Sequence, residues 1–565
     1  MYTFLSNRFT FAILALFLIC LIAYGSSLKN NFLIDDMPLV VNNQIIQNPH
    51  CFYLAFKLPF MSSYYRPITT LSFTCDYLVW KYNAFGYHLT NILLHATVSA
   101  LFFALIYLLF SSFELSLISS CLFAVHPLNS VNVNYISDRG NLLVSIFMLA
   151  SLLSFFHAYK NKKNRYYFLG FLLSVIALFC RENAIIFPLY LACLLTAAFE
   201  KNRLKIIVSC TSFSLLISGL YYFLRTKLLN LPVPIPPLPK LSFLTAHFEQ
   251  MRAFLSMILT YTRLLFVPAN IAFYRPVKPL TANLSLLLFF SFIALAVYLY
   301  HIRGRVKKSV LFALGFFLSG ILPLYILLRF RLQLKFTMQD SWIYFSSIGL
   351  FMLLGELLLY LKNRADKKLY RVFLILLFTF FITTTWQYNP LWHDTVTYCN
   401  FWLKILPKNY IAYRSLAQHY AMKRDFDRAA GYYLKALKLN RVQRGEEMIF
   451  TKKASEIFTE LGIVFHKQGK FEQALPYLFQ ALKINPYSSF AHLNLANTYY
   501  RLEKFDLAEQ HYRKVTELNP YHLKARQKLA VLYVKTGKEA LALKETEVAL
   551  SLSPHCFDRV LKSQD

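Results

Sequence analysis

The chain has little charge, and acid is the scarcer sign. Only 16% of its 565 residues are Asp, Glu, Lys or Arg, and 60 basic residues face 28 acidic ones. It has no Cys-x-x-Cys pair and no zinc-ligand spacing, and its nine cysteines are scattered. Cys51 and Cys75 share one loop and are the only pair near enough in that loop to bridge, but free thiols are the simpler reading. No nucleic-acid-binding motif accompanies the net charge of +32, so the excess of basic residues is not read as a nucleic-acid footprint. What remains is apolar: 57% hydrophobic, 17% aromatic, mean hydropathy +0.42. A soluble chain of this length has no need of so much apolar surface, and the sequence describes a polytopic membrane protein.

The apolar runs fall near residues 9–28, 88–110, 114–128, 138–158, 166–180, 184–199, 204–224, 281–302, 309–328, 341–361 and 370–387. Each is close to the length that crosses ~30 Å of hydrocarbon, which gives about eleven spans. The first run is an uncleaved anchor rather than a signal peptide, because so many spans follow it. Residues 29–87 form a first loop too polar to span and too aromatic to be disordered. They are expected as short surface helices held by Trp80 and tyrosines. The basic residues cluster in 160–165, 201–205, 303–308 and 362–364, as expected of loops facing cytoplasmic anionic lipid. That puts the N-terminus inside and the first loop outside. Residues 250–270 then must not cross, and the Pro-rich loop 232–237 is external and extended.

After Trp386 the sequence becomes charged and amphipathic. Asn485-Pro486, Asn519-Pro520 and Ser553-Pro554 recur 34 residues apart, with Gly462, Ala496 and Ala530, and Ala474, Ala508 and Ala542, in step. This is the tetratricopeptide pattern, in which small residues let paired helices approach. A further unit carries Ala417, Tyr420, Ala429 and Ala436, followed by an insertion at 442–452. The fold class is all-α: a multi-span membrane domain over 1–388, a connector over 389–406 and a repeat solenoid over 407–565, on the external side.

Asp35-Asp36 is the one adjacent acidic pair in the first half of the chain, placed where the first span ends. A carboxylate beside hydrocarbon is costly and asks for a reason. On the same face fall Tyr65, Arg66, His88, Asn91, His126, Asp138, Arg139, Arg181 and Glu182. Taken singly, each is explained by snorkelling or loop structure. Together they suit sugar transfer from a lipid phosphate: a carboxylate takes the acceptor proton, and guanidinium forks hold the leaving phosphate at the interface. Asp35 and Asp36 are the candidate bases. Arg66, Arg139 and Arg181 are the candidate phosphate contacts, and Tyr65, His88, His126, Asp138 and Glu182 the orienting groups. Two carboxylates without other placed ligands do not define a metal site.

These motifs, with His95 and with Asp340 through Tyr344, resemble those of the transmembrane and tetratricopeptide-repeat O-mannosyltransferases and their bacterial-type relatives, within the GT-C superfamily of membrane glycosyltransferases. The resemblance runs over nearly the whole chain. It departs at Ser341, where an arginine is expected, and at Arg181, where a lysine is common. It implies a polyprenyl- or dolichyl-phosphate sugar donor, usually of mannose, no required cofactor, and a protein hydroxyl acceptor held by the repeats. Two rivals remain at this level: a non-catalytic repeat scaffold for envelope assembly and a lipid-linked glycan ligase. A transporter is disfavoured, because its ionisable residues belong near mid-membrane rather than at span ends.

Overall fold

The computed structural model describes residues 7–57, 64–198, 204–228, 243–273, 275–301, 306–329, 337–444, 447–450, 453–520 and 522–552. The Pro-rich loop 232–237, much of the basic stretches 201–205 and 303–308, and Ser553-Pro554 lie outside the described residues. The chain divides into two compact units, Met1–Asp394 and Thr395–Asp565.

The first unit is helical: α1 (Asn7–Tyr24), α2 (Gln44–Gln47), α3 (Pro67–Trp80), α4 (Ala84–Phe110), α5 (Phe113–Val125), α6 (Ser130–Asn134), α7 (Arg139–Asn161) and α8 (Asn164–Cys180). There follow α9 (Phe187–Ala198), α10 (Leu204–Phe223), α11 (Phe243–Phe266), α12 (Ala282–His301), α13 (Lys308–Arg329), α14 (Ser347–Lys362) and α15 (Lys367–Tyr388). Among the described residues of this unit only Arg275-Pro276 (β1) and Thr337-Met338 (β2) pair as strands, antiparallel. Among the described residues six helical stretches are long and apolar enough to cross a membrane: 7–29, 84–110, 136–161, 205–227, 308–325 and 367–392. Shorter apolar helices cover 113–125, 164–180, 182–198 and 282–291. Helix α11 does not meet the criterion. Asn83, Ser112 and Asp366 cap α4, α5 and α15 by accepting from backbone N–H groups, which satisfies donors that lipid cannot.

The first loop folds as short helical pieces, as the sequence suggests. A π-turn over Met37–Val41, α2 and α3 pack over one apolar cluster of Leu39, Val40, Ile46, Phe73, Tyr87 and Ile136, with Phe32, Tyr77 and Trp80 at its rim, and a 3-10 segment over Pro49–Phe56 lies against α2 and α3. Trp80 lies flat against Gly86, where a Cβ would overlap the indole. Asn389 ties this end of the unit together. Its amide donates to Ala23 O and Ser26 Oγ (both 2.9 Å), and it accepts from Asn30 (3.0 Å) and Asn134 (2.9 Å).

The second unit begins earlier than the expected connector implies. Thr395–Ile405 is a helix packed on the first repeat helix, Tyr410–Met422. The repeats follow as antiparallel pairs: Tyr410–Met422 with Phe426–Leu439, Ala454–Lys467 with Phe471–Ile484, Ser489–Arg501 with Phe505–Leu518, and Leu523–Lys535 with Glu539–Leu552. The insertion forms a small hairpin, Arg441–Arg444 against Glu447–Phe450. Gly462 faces Leu478, and a Cβ there would come within 2.7 Å of it. The turn inside each pair needs one residue in the left-handed region: Arg424 (φ 61°), Gly469 (φ 77°), Glu503 (φ 59°) and Gly537 (φ 72°). That conformation costs an L-residue about 1–2 kcal/mol. Gly537→Val should therefore destabilise the repeats by about 1–2 kcal/mol, whereas Glu503→Gly should be neutral or stabilising. Thermal unfolding of the full chain, followed at the repeats by hydrogen exchange, checks both; an unchanged Gly537→Val or a destabilised Glu503→Gly would refute the turn assignment.

Candidate active site

The site is built from the start of α7. Three consecutive residues there each hold a different element. The Ser137 N–H donates to Asp36 Oδ1 at 2.8 Å, and its hydroxyl donates to the same oxygen. Asp138 Oδ1 pairs with Arg181 Nη1 at 2.5 Å. Arg139 pairs with Asp76 Oδ2 at 2.5 Å and donates to Asn91 Oδ1 at 2.7 Å, Tyr87 O at 3.0 Å and Ser72 O at 3.2 Å. Asn141, one turn on, donates to Asn132 Oδ1 (2.8 Å) and Asp138 Oδ2 (3.1 Å). One helix start thus fixes the first loop, the end of α8, α3 and α4.

The two candidate bases part company. Asp36 is 1% exposed and turned inward, its Oδ2 accepting from Leu33 N–H at 2.8 Å. Burial, only partly offset by the bonds from Ser137 and Leu33, raises its pKa from 3.8 to about 7. Asp35 is half-buried; its N–H donates to Tyr135 Oη at 3.2 Å, and the Tyr135 hydroxyl also bonds its carboxylate. Between Leu33 and these aspartates sits Ile34 at φ 34°, in the left-handed region. A β-branched residue there is strained by about 1–3 kcal/mol, and such strain persists only where the surroundings over-determine it. Here the Leu33 and Asp36 bonds on one side and Tyr135 on the other supply that constraint.

The three expected phosphate contacts also differ. Arg66 Nε meets Glu182 Oε2 at 2.9 Å, while Tyr65 N–H donates to Glu182 Oε1 at 3.0 Å. The Arg66 guanidinium lies 4.4 Å from the centre of the Tyr64 ring. Burial lowers the Arg66 pKa, and repulsion from Arg181 adds to this against the pull of Glu182. The two cations are therefore neighbours. Arg181 is opposed by burial, but Asp138 outweighs it and leaves its pKa raised. Both side chains keep a little exposure, 11% and 13%. Arg139 is the correction. Its side chain is fully buried, its fork is taken up by Asp76, Asn91 and two carbonyls, and Phe73 lies 4.5 Å beneath it. It holds the scaffold and presents no edge to a ligand.

His126 is likewise enclosed. Its Nδ1 accepts from Leu128 N–H (3.1 Å), its Nε2 faces Leu265 O (3.0 Å), and Phe351 and Phe381 flank its ring. It caps the Pro127–Asn129 turn through this bond to Leu128 N–H. His88 is buried beside the backbone of Asn30 and Asn31. His95 bonds Tyr344 Oη at 2.6 Å and Ala124 O at 3.1 Å in the helix core. Tyr65 donates its hydroxyl to Phe56 O at 3.0 Å. Among the described residues no three His, Cys, Asp or Glu side chains group as a metal site.

Sequence reasoning passed over Tyr135, Asp76 and Arg275. Asp76 carries a signal, as a lone acid within the otherwise uncharged helix α3. Arg275 pairs with the fully buried Asp340, Nε to Oδ1 at 3.0 Å and Nη2 to Oδ2 at 2.7 Å. Tyr135 has no distinguishing sequence context among so many tyrosines.

Known proteins resemble the chain in its repeats and along its length. Sequence profiles of the tetratricopeptide repeat match residues 400–444, 455–488 and 489–522. The human protein O-mannosyl-transferase TMTC3 is 24% identical over 85% of this chain and 52% of its own length. The protein O-mannosyl-transferase F38B6.6 of Caenorhabditis elegans is 27% identical over 46% of this chain and 38% of its own length. The Xenopus laevis tmtc2 protein is 36% identical over 24% of this chain and 17% of its own length. The chain spans about half the length of the longest-matching relative or less. Among solved structures, MamA aligns with 27% of this chain and 84% of its own at a TM-score of 0.24, with 21% identity. The chain is thus similar along most of its length to a protein that bears the name O-mannosyl-transferase, and it carries both candidate membrane helices and tetratricopeptide repeats.

Proposed function

We propose that the chain is a membrane glycosyltransferase of the GT-C type, moving a sugar, mannose by the relatives' names, from a polyprenyl- or dolichyl-phosphate donor to a protein hydroxyl. The observation that carries this reading is a pair of neighbouring guanidiniums, Arg66 and Arg181, each held by its own carboxylate, one helix start away from a half-buried aspartate on a strained turn. Like charges kept together at a cost are useful where an anion is to be bound. Asp35 is the base in this reading, taking the acceptor proton as the sugar's anomeric carbon leaves the phosphate oxygen. Asp36 positions it through Ser137. Glu182 and Asp138 aim the two arginines. The repeats hold the acceptor, and the basic loops Lys160–Arg165 and Lys362–Arg364 favour a cytoplasmic N-terminus with the repeats outside. A bare scaffold has no use for the strained turn or the paired arginines.

Intact-mass comparison of external proteins from cells with and without the chain should reveal a lost hexose increment. Asp35→Asn should lower transfer by roughly 10²–10⁴-fold without affecting insertion or repeat folding, the usual range for a general base. Asp36→Asn should cost much less; equal losses, or none, would sink the assignment of the base. The two aspartates should also separate by pH. A carboxyl with a folded pKa near 7 and an ordinary one of 3.8 takes up a proton on folding between those values. Its stabilising contribution is complete below about pH 4 and is lost as pH rises to about 7. The parent protein should lose melting temperature over that window relative to Asp36→Asn, and parallel profiles would show that Asp36 stays charged. A cytoplasm-dependent reporter fused after Asp565 should be inactive; activity there would overturn the orientation.

A further inference from the structure

Arg275 lies in the loop between α11 and α12, a segment with no part in the site as read from sequence. Its backbone pairs with Met338, two residues before Asp340. Asp340 is fully buried and grips one edge of the guanidinium through Nε and Nη2, and also accepts from Ala272 N–H at 2.9 Å. Nη2 donates in addition to Asn270 O at 2.7 Å. Two of the three nitrogens are thereby committed. Nη1 has no partner among the described residues, and the side chain is 16% exposed. Burial alone would lower the Arg275 pKa; Asp340 outweighs it and leaves it raised. The guanidinium is thus permanently charged, locked in orientation, and has one free edge.

Its surroundings belong to the site. Phe273 packs on the Tyr135 ring at 4.9 Å, and the Tyr135 hydroxyl bonds Asp35. Ser341, next to Asp340, has its carbonyl 3.5 Å from the amide of Asn141, which bonds Asp138, the partner of Arg181. Ser341 itself offers no cation, and its hydroxyl is buried without a partner among the described residues. A structural ion pair needs no unfilled donor edge. We infer that Arg275 is a third phosphate-contact residue, donating from Nη1 to the phosphate of the lipid-linked donor on the side opposite Arg66 and Arg181, with Asp340 as its positioning residue.

This inference rests on the donor reading above, and its test separates the two. The full chain in phosphatidylcholine nanodiscs is titrated with polyprenyl monophosphate, with the uncharged polyprenol, and with phosphatidylglycerol as competitor. The parent should bind the phosphate and not the alcohol. Arg275→Gln alone strands a buried carboxylate and is prone to misfold. The Arg275→Gln, Asp340→Asn double variant removes both charges and keeps the volume. It should fold and bind polyprenyl monophosphate roughly tenfold or more weakly, as the loss of a charge-assisted contact predicts. Arg275→Lys should recover only part of the affinity, because it keeps the charge without the fork. A parent that binds neither lipid overturns the donor reading and this inference with it. A folded double variant that binds as the parent does overturns this inference alone. So does equal competition by phosphatidylglycerol, which would make Arg275 an anchor for bulk headgroups.

Discussion

Everything at this end of the membrane unit depends on pairing charge in a scaffold that has almost no water to offer it. Ser137, Asp138 and Arg139 lead into α7 and reach Asp36, Arg181 and Asp76 in turn. An unpaired ion at such a place costs several kcal/mol, so removing one partner strands the other. The cost enforces geometry. With Asp36 held by Ser137 and Arg181 by Asp138, the first loop and the end of α8 have little freedom to move independently of α7. Arg139 extends this to α3 and α4, and Asn389 to α1 and α6. The charged residues are thus the means by which separately inserted helices acquire one register.

Seen this way, the division between Asp35 and Asp36 is a consequence of packing. Adjacent residues on a tight turn cannot both face inward. Asp36 takes the inward place because Ser137 and the Leu33 N–H are there to receive it. Ile34 absorbs the resulting distortion at φ 34°. Asp35 faces the Tyr135 hydroxyl and keeps access that Asp36 lacks. A general base needs such access, and its companion's burial is what holds it still.

The repeats and most helices were legible from sequence because their signals are local. A 34-residue period needs only spacing, and an apolar run only length. The Asp35-Asp36 loop was legible for the opposite reason: it breaks the local rule that membrane chains avoid acid. What could not be read is who pairs with whom. Arg139 looked like a phosphate ligand because its partner Asp76 lies 63 positions upstream, on one of the first loop's surface helices. His126 looked like an orienting group because nothing local reveals Phe351 and Phe381 around it. Arg275 was invisible because its role depends on β1 meeting β2, a contact between segments 62 residues apart that are joined through two apolar helices.

The pairing also shapes what the site can recognise. Arg66, Arg181 and Arg275 each carry a private carboxylate: Glu182, Asp138 and Asp340. Each pair is close to neutral, so the site does not attract anions by bulk charge, despite the strongly basic composition of the chain. What the pairs provide is direction. Each carboxylate occupies one edge of a planar fork, which fixes where the remaining N–H groups point and lowers the entropy lost when a phosphate oxygen meets them. A neutral, oriented donor set in a region of low dielectric discriminates by the placement of oxygens more than by net charge. It suits a ligand whose tail is already held by the bilayer and whose phosphate needs alignment rather than capture. The basic residues in the loops are then free to serve orientation in the membrane, and the two uses of positive charge in this chain remain separate.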